Sequence, residues 1–397
     1  MSFTSLADGS EFVLDGTHGS PTRTESGIPV LSAQNVRDGR LDFNTDRYTN
    51  EGEYETFRSR LNVQAGDVLL TIVGSIGRAA VITEARPLVF QRSVAVIRPR
   101  PSKLDPRFLY HATQSRDFQR QLTQATNQSS QAGVYLGRLK KITVPLPHID
   151  EQRRIAKALD RADELRTRRR QGIAHLYELT RSTFLDMFGD PVRNERSWPR
   201  VLMSSLLERI HSGHSPHCLN RPARDEEWGV LKLGAVTSCE FAPDENKALP
   251  PGVIPRQEHT VREGDVLFSR KNTRELVAAS ALVRATPPKL LLPDLIFRLE
   301  PYPDAPLNKV FLQQLLVYPS KRRQIQSLAG GSAGSMPNIS KARLMAAEVE
   351  LPPLPLQREF ARRIDAIEKL RAAQRASLAE LDALFASLQD RAFRGLL

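Results

Sequence analysis

The sequence predicts an α/β (α+β) protein in which a β-rich domain followed by one long helix occurs twice. Three observations lead to this fold class. The segment 146–191 recurs as a near copy at 351–395. Both copies have the apolar spacing of a long helix, and each is preceded by short apolar runs separated by turn residues. We therefore predict a pseudo-twofold tandem duplication of the chain.

The first domain should be rich in short strands and contain few helices. Apolar or alternating runs predict strands at 28–31, 68–73, 79–83 and 93–97, with turns at Asp38-Gly39, Ala65-Gly66-Asp67 and Gly74-Ser75-Ile76-Gly77. Loosely spaced apolar residues predict a helix at 108–122. A polar loop at 126–133 and a strand at 141–144 lead to Pro145-Leu146-Pro147, where proline ends the strand and admits the long helix.

The long segment and its copy each carry a heptad seam. A constant shift of 205 positions pairs Gln152 with Gln357 and Leu159 with Ile364. The first seam consists of Ile155, Leu159, Ala162, Arg166, Arg169, Ile173, Leu176, Thr180, Thr183 and Met187. The second consists of Phe360, Ile364, Ile367, Arg371, Gln374, Leu378, Leu381, Phe385, Leu388 and Ala392. Each helix should run about 35 to 40 residues and needs a partner helix along its seam.

Polar residues interrupt both seams at equivalent places. Arg166 matches Arg371, and Arg169 matches Gln374. A polar layer costs stability and fixes the register of paired helices, so we assign these four residues to the register of the pair. The alternative, two unrelated surface helices, is disfavoured by the match.

The second domain repeats the order of the first. Gly264-Asp265-Val266-Leu267 corresponds to Gly66-Asp67-Val68-Leu69, and a helix at 308–328, a small-residue loop at 330–335 and a strand at 348–351 follow. The turns after matched strands differ, as expected for two domains that share a scaffold but read different targets. The predicted boundaries are 1–145 and 191–350 for the domains, and 146–190 and 351–397 for the helices.

Composition points to a polyanionic partner. The 397 residues include 57 Lys and Arg against 45 Asp and Glu, a formal net charge of +12, and clustered cations suit phosphate binding. A basic surface without a ligand would have the same composition. Two cysteines exclude a disulfide framework. No apolar run is long enough to span a membrane and no signal pattern opens the chain, so we expect a cytoplasmic protein.

Several of these motifs together resemble the specificity subunits of type I restriction-modification enzymes. They are Gly66-Asp67-Val68-Leu69 with Gly74-Ser75-Ile76-Gly77, the junctions Pro145-Leu146-Pro147 to Glu151-Gln152-Arg153-Arg154-Ile155 and Leu351-Pro352-Pro353-Leu354 to Gln357-Arg358, and the helix exit Phe184-Leu185-Asp186-Met187-Phe188-Gly189-Asp190-Pro191. The resemblance covers essentially the whole chain. The second half departs from it, because it lacks the Gly-Ser-Ile-Gly turn and ends its helix with Phe393-Arg394-Gly395.

The resemblance implies two target-recognition domains held apart by an antiparallel coiled coil of the two long helices. Each domain would read one half of a split site in double-stranded DNA, and the coiled coil would act as a ruler. The implied partners are two modification (methyltransferase) subunits, which dock on the helices, and restriction (endonuclease) subunits. S-adenosylmethionine, ATP and Mg²⁺ would be bound by these partners and not by this chain.

The residues themselves also argue against catalysis by this chain. The small-residue loop 330–335 has no Gly-Lys-Ser/Thr and is not a P-loop. Asp190-Pro191-Val192 is not the aromatic-ended Asn/Asp-Pro-Pro motif of amino-methyltransferases. We assign no catalytic residue, and predict a non-catalytic specificity subunit.

One cluster has the spacing of a metal site. His211, His214, His217 and Cys218 could supply zinc ligands, with Cys239 as a fourth. The corresponding segment of the first half, 15–21, has one histidine and no thiol. We therefore predict a polar or structural loop here, and no metal.

Donor-rich side chains on loops are the candidates for reading DNA bases, since Arg, Lys, Asn, Gln, His and Ser can make specific contacts with base edges. In the first domain these are His18, Ser20, Arg23, Gln34, Asn35, Ser75, Arg78, Gln91 and Arg92. In the second they are His214, Ser215, Lys232, Ser269, Arg270, Lys271, Asn272, Arg274 and Asn338. Any one of them could equally be a turn residue or a phosphate contact.

Two other functions remain open at this stage. The chain could serve a system in which modification and cleavage are fused in one partner. It could also be a coiled-coil scaffold of a defence complex whose globular ends bind protein, in which case binding to DNA would not depend on its sequence.

Overall fold

The structure is a computed structural model, and it describes residues 2–37, 39–127, 132–331 and 336–396. The chain divides into two compact units, residues 1–171 with 375–397, and residues 172–374. The two units meet at 171/172 and at 374/375, and both positions lie inside long helices. The predicted domain boundaries stay predictions. Within the described ranges, no helix is long and apolar enough to cross a membrane. The predicted turn residue Asp38 and parts of the predicted loops 126–133 and 330–335 lie outside the described residues.

The first unit is built from short strands and helices. Its strands are β1 (Phe3–Ser5), β2 (Ser10–Asp15), β3 (Ile28–Leu31), β4 (Val36–Arg37), β5 (Arg40–Leu41), β6 (Tyr48–Thr49), β7 (Val68–Thr71), β8 (Ala79–Val81), β9 (Val89–Phe90), β10 (Val94–Pro99), β11 (Thr126–Asn127), β12 (Gly133–Val134) and β13 (Thr143–Pro145). Its helices are α1 (Leu6–Gly9), α2 (Glu51–Arg60), α3 (Pro106–Thr113), α4 (Arg116–Ala125), α5 (Leu136–Leu139) and the first part of α6 (Ile149–Phe188). A 3₁₀ turn at Ala33–Asn35 precedes β4.

The second unit follows the same order. Its strands are β14 (Arg200–Leu202), β15 (Leu207–Ser212), β16 (Gly229–Leu231), β17 (Asn246–Ala248), β18 (Val266–Ser269), β19 (Ser280–Leu282), β20 (Leu290–Leu291), β21 (Ile296–Pro301) and β22 (Glu348–Glu350). Its helices are α7 (Gly234–Thr237), α8 (Lys309–Val317), α9 (Pro319–Gln326), α10 (Lys341–Met345) and the first part of α11 (Leu354–Phe393). Short 3₁₀ turns lie at Met203–Ser205 and Gln257–His259.

Three sheets of the first unit recur in the second, whereas the two-stranded pairs β4-β5 and β11-β12 occur in the first unit alone among the described residues. A four-stranded antiparallel sheet has the order β2-β10-β7-β8 in the first unit and β15-β21-β18-β19 in the second. A three-stranded mixed sheet has the order β6-β3-β9 or β17-β16-β20. A two-stranded sheet, β1-β13 or β14-β22, joins the start of each domain to the strand before its long helix. The predicted duplication is therefore confirmed at the level of topology.

The long helices α6 and α11 each contain 40 residues, as the heptad seam predicts. In the first unit, Phe393 belongs to the same apolar cluster as Ile155, and Arg166 bonds to Asp382. In the second, the Phe360 ring packs edge-to-face against Phe184 and Phe188, and Arg371 lies over the Tyr177 ring. Contacts thus move down one helix as they move up the other, so the helices run antiparallel in each unit.

The seam positions are buried or half-buried in both helices. Leu165 and Leu370, which also match at the shift of 205, lie off the seam and are exposed. Each unit closes its own apolar cluster around the sheet and the helix pair, because a heptad stripe requires a second apolar surface.

Two predicted helices are broken in the structure. The segment 108–122 forms α3 and α4, because Ser115 caps α4 by accepting a hydrogen bond from the Phe118 amide (3.3 Å). The segment 308–328 forms α8 and α9, because Pro319 cannot continue a helix and begins the next one instead. The helix α2 and the strands β1, β2, β14 and β15 were not predicted.

A buried glutamine ties each long helix to its domain. Gln152 accepts a hydrogen bond from the Asp105 amide (2.9 Å) and donates to the carbonyls of Lys103 (2.7 Å) and Pro147 (2.9 Å). Gln357 makes the same three bonds, with Asn308 (2.8 Å), Pro306 (3.0 Å) and Pro352 (2.7 Å). Asp105 and Asn308 are the N-caps of α3 and α8, so one side chain holds two helix starts together.

Candidate nucleic-acid interface

Three loops meet at one end of the four-stranded sheet in the first domain. The loop after β2 lies against the segment before β10, because the Thr17 amide donates to the Phe90 carbonyl (2.7 Å) and the Arg92 amide donates to the Thr17 carbonyl (3.0 Å). The loop after β7 joins them where the Ile72 amide donates to the Ser93 carbonyl (2.9 Å), and β12 lies beside it because the Val134 amide donates to the Ile72 carbonyl (2.9 Å). Backbone bonds therefore bring together loops that are distant in the sequence.

A cleft of about 370 Å³ opens between these loops. Its lining residues are Asp15, His18, Ile72, Val73, Arg92, Asn127, Gly133, Val134, Tyr135 and Leu136. Two of them, His18 and Arg92, are candidates from the sequence, and both are exposed. His18 Nε2 lies 3.0 Å from the Asp15 carboxylate. The cleft thus presents an imidazole, a guanidinium and an aromatic ring, since Tyr135 is 64% exposed.

The second domain brings the equivalent loops together. The His214 amide donates to the Leu292 carbonyl (3.1 Å), and the Ile339 amide donates to the Arg270 carbonyl (2.8 Å). Three candidates from the sequence, Arg270, Lys271 and Asn338, become neighbours here. Arg270 Nε donates to Asn338 Oδ1 (3.1 Å), and Lys271 forms a β-bridge with Asn338. This end of the second domain is therefore more basic than that of the first.

The Arg270 guanidinium is held by an aromatic ring as well as by Asn338. It lies 5.0 Å from the centroid of the Phe297 ring, and the Lys341 ammonium lies 5.9 Å from the same centroid. A cation over a ring face is attracted by the ring quadrupole. Lys341 follows the N-cap of α10 and was not predicted from the sequence.

Three candidates are buried, which corrects their assignment to base reading. Asn35 bonds to the Ser32 amide and to the carbonyls of Asp42 and Asn44, and completes a capping box. Ser269 is fully buried, and Asn272 is 5% exposed and accepts a hydrogen bond from the Thr273 amide. In this conformation their side chains are not accessible to a base, because alternation in β18 and turn formation direct them inward.

The remaining candidates lie on the surface in several places. Arg23 bonds to Asp46 (3.4 Å), Lys232 pairs with Glu245 (2.8 Å), and Gln91 accepts a hydrogen bond from Arg47 (3.5 Å). Ser215 bonds to Asp294. Exposed positions without a shared cleft are Ser20, Gln34, Ser75 and Arg274. Arg78 lines a different cavity, described below.

Tyr135 and Asn127 are cleft residues that the sequence analysis missed. Asn127 accepts a hydrogen bond from the Gly133 amide (2.9 Å) and so shapes the hairpin of β11 and β12. The available signal was an aromatic residue that directly follows a strand and is the N-cap of a short helix, but this signal can be read only once the strand is known. Local patterns do not reveal which hairpin closes over which loop.

The histidine cluster does not assemble in the structure. His211 Nε2 bonds to Glu300 Oε2 (2.5 Å), and this hydrogen bond lowers the pKa of Glu300. The Cys218 thiol donates to the Pro216 carbonyl (3.4 Å), and burial raises its pKa. Cys239 is elsewhere, where it accepts a hydrogen bond from Arg322. Among the described residues, no group of three His, Cys, Asp or Glu side chains is arranged to hold a metal ion.

The four proposed register residues lie on the long helices, and their role in setting the register stays a prediction. In the first unit, Arg166 Nε bonds to Asp382 (2.6 Å), and its guanidinium lies 4.3 Å from the centroid of the Phe385 ring. In the second, Arg371 pairs with Glu240 (2.8 Å) and lies 4.3 Å from the Tyr177 centroid. The arginines are equivalent in sequence, but each is paired with its own partners. Arg169 and Gln374 are half-buried.

Comparison with known proteins identifies the relatives of this chain. Residues 21–175 match the Type I restriction modification DNA specificity domain. The type I restriction enzyme EcoEI specificity subunit of Escherichia coli is 31% identical over 196 residues, which are 47% of this chain and 33% of that protein. The EcoKI specificity subunit of the same species is 22% identical over 93% of this chain and 82% of its own length. The chain thus spans about a third of the first relative.

A solved structure has the same fold. The type I restriction-modification S subunit from M. genitalium superimposes with a TM-score of 0.63 at 13% identity, over 99% of this chain and 96% of that chain. The resemblance to type I specificity subunits, first drawn from the motifs, is therefore confirmed. The predicted fold, β-rich domains with two long helices that pack together, is confirmed as well.

Proposed function

We propose that this chain is the DNA specificity subunit of a type I restriction-modification complex, and that each of its domains reads one half of a bipartite site in double-stranded DNA. The observation that carries the proposal is the repeated three-loop end of the four-stranded sheet. The two ends share their backbone bonds and differ in their side chains. A conserved frame with different donors suits two domains that read different base sequences.

The side chains at these ends suit contacts with base edges. Arg92 at the first cleft and Arg270 at the second can each donate two parallel hydrogen bonds to guanine, and Asn338 can pair with adenine. Its Oδ1 already accepts from Arg270, so Asn338 has an amide that remains a donor. Backbone phosphates would take the other cations, since half or more of protein–DNA hydrogen bonds go to the backbone.

The helix pair would set the distance between the half sites. Each helix contains 40 residues, or about 60 Å at 1.5 Å per residue. One added heptad would lengthen such a spacer by about 10 Å. Insertion of a heptad into both helices should therefore change the number of base pairs between the half sites and leave the half sites themselves unchanged.

The chemistry would reside in partner subunits. Two modification subunits would dock on the long helices and transfer a methyl group from S-adenosylmethionine, and restriction subunits would use ATP and Mg²⁺ for cleavage. This chain would supply recognition and positioning. A complex that acts on the host genome would assemble in the cytoplasm.

Reconstitution tests the proposal. The purified chain alone should neither methylate nor cleave DNA, whereas addition of modification subunits should give methylation at one split sequence. Sequencing of the methylated positions identifies that sequence. Methylation without sequence preference, or none with the subunits present, would contradict the proposal.

A triple variant tests the basic loop of the second domain. Arg270→Ala, Lys271→Ala and Arg274→Ala together should weaken binding of the complex and reduce the dependence of its affinity on salt. The matched control is Arg193→Ala with Arg196→Ala and Arg209→Ala, which removes three cations of the same unit away from the three-loop end. Wild-type affinity and salt dependence in the first variant would show that these loops do not contact DNA.

A further inference from the structure

The cleft of the first domain that His18 and Arg92 line is called the reading cleft here, and a second polar cavity lies on the other side of the turn that borders it. The cavity has a volume of about 460 Å³, and its lining residues are Arg37, Gly39, Arg78, Ala79, Tyr110 and Gln114. Ile72 and Val73, at the start of the turn between β7 and β8, line the cleft. Arg78 and Ala79, at its end, line the cavity. One turn thus separates the two openings.

The turn is held in a single shape by Thr71. Its hydroxyl donates to the Ser75 carbonyl and accepts from the Arg78 amide (2.9 Å), and its carbonyl accepts from the Gly77 amide (2.9 Å). Gly77 has a φ of 93°, which favours glycine. Arg78 is therefore presented by a fixed backbone.

Cations of the cavity wall have few internal partners. Arg78 of the wall is exposed, and so is Arg40, which follows the wall residue Gly39 in the chain but does not itself line the cavity. Neither guanidinium makes a hydrogen bond or ion pair with a residue that the structure describes. Arg37 is exposed and donates through Nε to the Gln34 carbonyl (2.7 Å), which orients its guanidinium. Asp38, outside the described residues, adds one negative charge to the same segment of the sequence. Three arginines thus leave an excess of positive charge.

The second domain has no such cavity wall at the equivalent place. Cys239 corresponds to Gly39, since both have positive φ (62° and 74°), and Glu240 then corresponds to Arg40. Ala279, fully buried before β19, corresponds to Arg78 before β8. Glu240 pairs with Arg371 (2.8 Å). The charge of this region is thus basic in the first domain and compensated in the second.

Side chains of the second domain also occupy the place that corresponds to the cavity of Arg37 and Arg78 in the first domain. Gln313, which corresponds to Tyr110 by its distance from the N-cap, donates to the carbonyls of Cys239 (3.2 Å) and Ser280 (2.9 Å). Arg322 donates to Cys239 Sγ (3.4 Å) and to the Glu275 carbonyl (3.1 Å). These bonds give the side chains at this place of the second domain partners within their own unit.

We propose that Arg37 and Arg78 form a phosphate site of the first domain, which holds a backbone phosphate of the bound DNA and has no counterpart in the second domain. The inference rests on the proposed function, because DNA in the reading cleft would pass over the turn to the cavity. Two guanidinium groups match the oxygens of a phosphate. The site would anchor the duplex without reading its sequence.

The test uses the full chain assembled with its modification subunits and a duplex that carries the methylated sequence. Arg37→Gln with Arg78→Gln should lower the affinity about tenfold for every duplex, matched or mismatched, because charge-assisted bonds are lost. The slope of log affinity against log salt should fall in magnitude by about 1. The methylated sequence should not change.

A control variant removes the same charge elsewhere on the domain. Arg58→Gln with Arg86→Gln replaces two exposed arginines that pair with Glu55 (3.2 Å) and Glu84 (2.6 Å). If the Arg37 and Arg78 variant behaves like this control, the inference is wrong. A loss confined to particular base pairs would also overturn it, since it would show base reading.

A free phosphate compound is the other source of the same chemistry. Inorganic phosphate and a mononucleotide are titrated into the DNA-free complex by calorimetry. Saturable submillimolar binding that the double variant abolishes would overturn the assignment to DNA. The absence of such binding, together with the changed salt slope, supports it. If the wild-type complex methylates no split site, the proposed function fails. If it does and the variant matches the control, only this inference fails.

Discussion

The two units have the same backbone plan but stabilise it with different buried chemistry. In the first unit, Phe118 of α4 is buried at the third position of the helix, and Pro145 ends β13. At the corresponding places of the second unit, Lys321 is fully buried and pairs with Glu350 (2.8 Å). Lys321 Nζ also donates to the Glu348 carbonyl (2.8 Å). One packing position thus tolerates either an apolar side chain or an ion pair.

This difference shows which features the duplication requires. The glutamines Gln152 and Gln357 make the same bonds in both units, and the sheets have the same strand order. Around this frame the charged contacts diverge. A buried ion pair costs desolvation energy that its attraction only partly repays. Its presence in one unit therefore does not make that unit the more stable one.

The largest effect should come from breaking the buried ion pair. Lys321→Met should lower the free energy of unfolding of the second unit by about 3 kcal/mol, because Arg200, 3.4 Å away, would be the one cation left beside Glu350 among the described residues. The double variant Lys321→Met with Glu350→Leu should recover most of the lost free energy of unfolding. Urea unfolding followed by tryptophan fluorescence measures this unit selectively, since Trp198 and Trp228, the two tryptophans of the chain, both lie in it.

The matched control for that prediction is Phe118→Met in the first unit. It should leave the tryptophan transition unchanged. If the Lys321→Met variant is as stable as the wild type, the ion pair is dispensable. The difference between the two units at this position would then have no effect on stability.

The second effect compares the equivalent arginines of the helix pair. Arg371→Met should lower the unfolding free energy of the second unit by about 2 kcal/mol, because Arg371 is buried between Glu240, Glu368 and Tyr177. Arg166→Met should cost about 1 kcal/mol, because its side chain is more exposed. Thermal unfolding by circular dichroism gives both values. If the two variants lose the same unfolding free energy, the different surroundings of Arg166 and Arg371 do not affect stability.

The third prediction is one of equality. Gln152→Leu and Gln357→Leu should each cost about 2 kcal/mol, because each leaves a buried N-cap amide and two carbonyls without partners. Hydrogen–deuterium exchange should increase in α3 for the first variant and in α8 for the second. A large effect in only one unit would break the symmetry inferred from the shared bonds.

The smallest effect concerns pH. Burial would raise the pKa of Asp160, but hydrogen bonds from His111 and Arg107 outweigh burial and lower this pKa from 3.8 to about 2. The lowered pKa stabilises the folded state above about pH 4, and this contribution disappears as the pH falls towards 2. Asp160→Asn should therefore cost about 1 kcal/mol at pH 7, because the side chain is one-third exposed, and less at pH 3.

Asp365, the equivalent carboxylate on α11, provides the control for the pH prediction. It bonds to Arg284 alone among the contacts seen in the described ranges (2.6 Å), at an exposed position. Asp365→Asn should cost less than Asp160→Asn at pH 7. Hydrogen–deuterium exchange in α3, measured at pH 7 and pH 3, checks the first variant. If Asp160→Asn increases exchange in α3 by the same amount at pH 7 and at pH 3, the link between the stability of the folded state and the pKa of Asp160 is contradicted.

Part of the site was accessible to local reasoning. Arg92, Arg270, Lys271 and Asn338 were candidates because loop cations and amides suit base edges, and the structure brings the last three together. Asn35, Ser269 and Asn272 have the same chemistry but are buried. A residue type does not reveal whether a turn directs its side chain outward or inward.

The sequence by itself determined the duplication, the two helices of 40 residues and the positions of their seams. These features repeat at short range, so periodicity and a constant shift are enough to find them. The tertiary structure alone decided which loops meet, which cations have partners and where the cavity of Arg37 and Arg78 lies. Those outcomes depend on strand pairing between residues far apart in the chain, and no local pattern encodes such contacts.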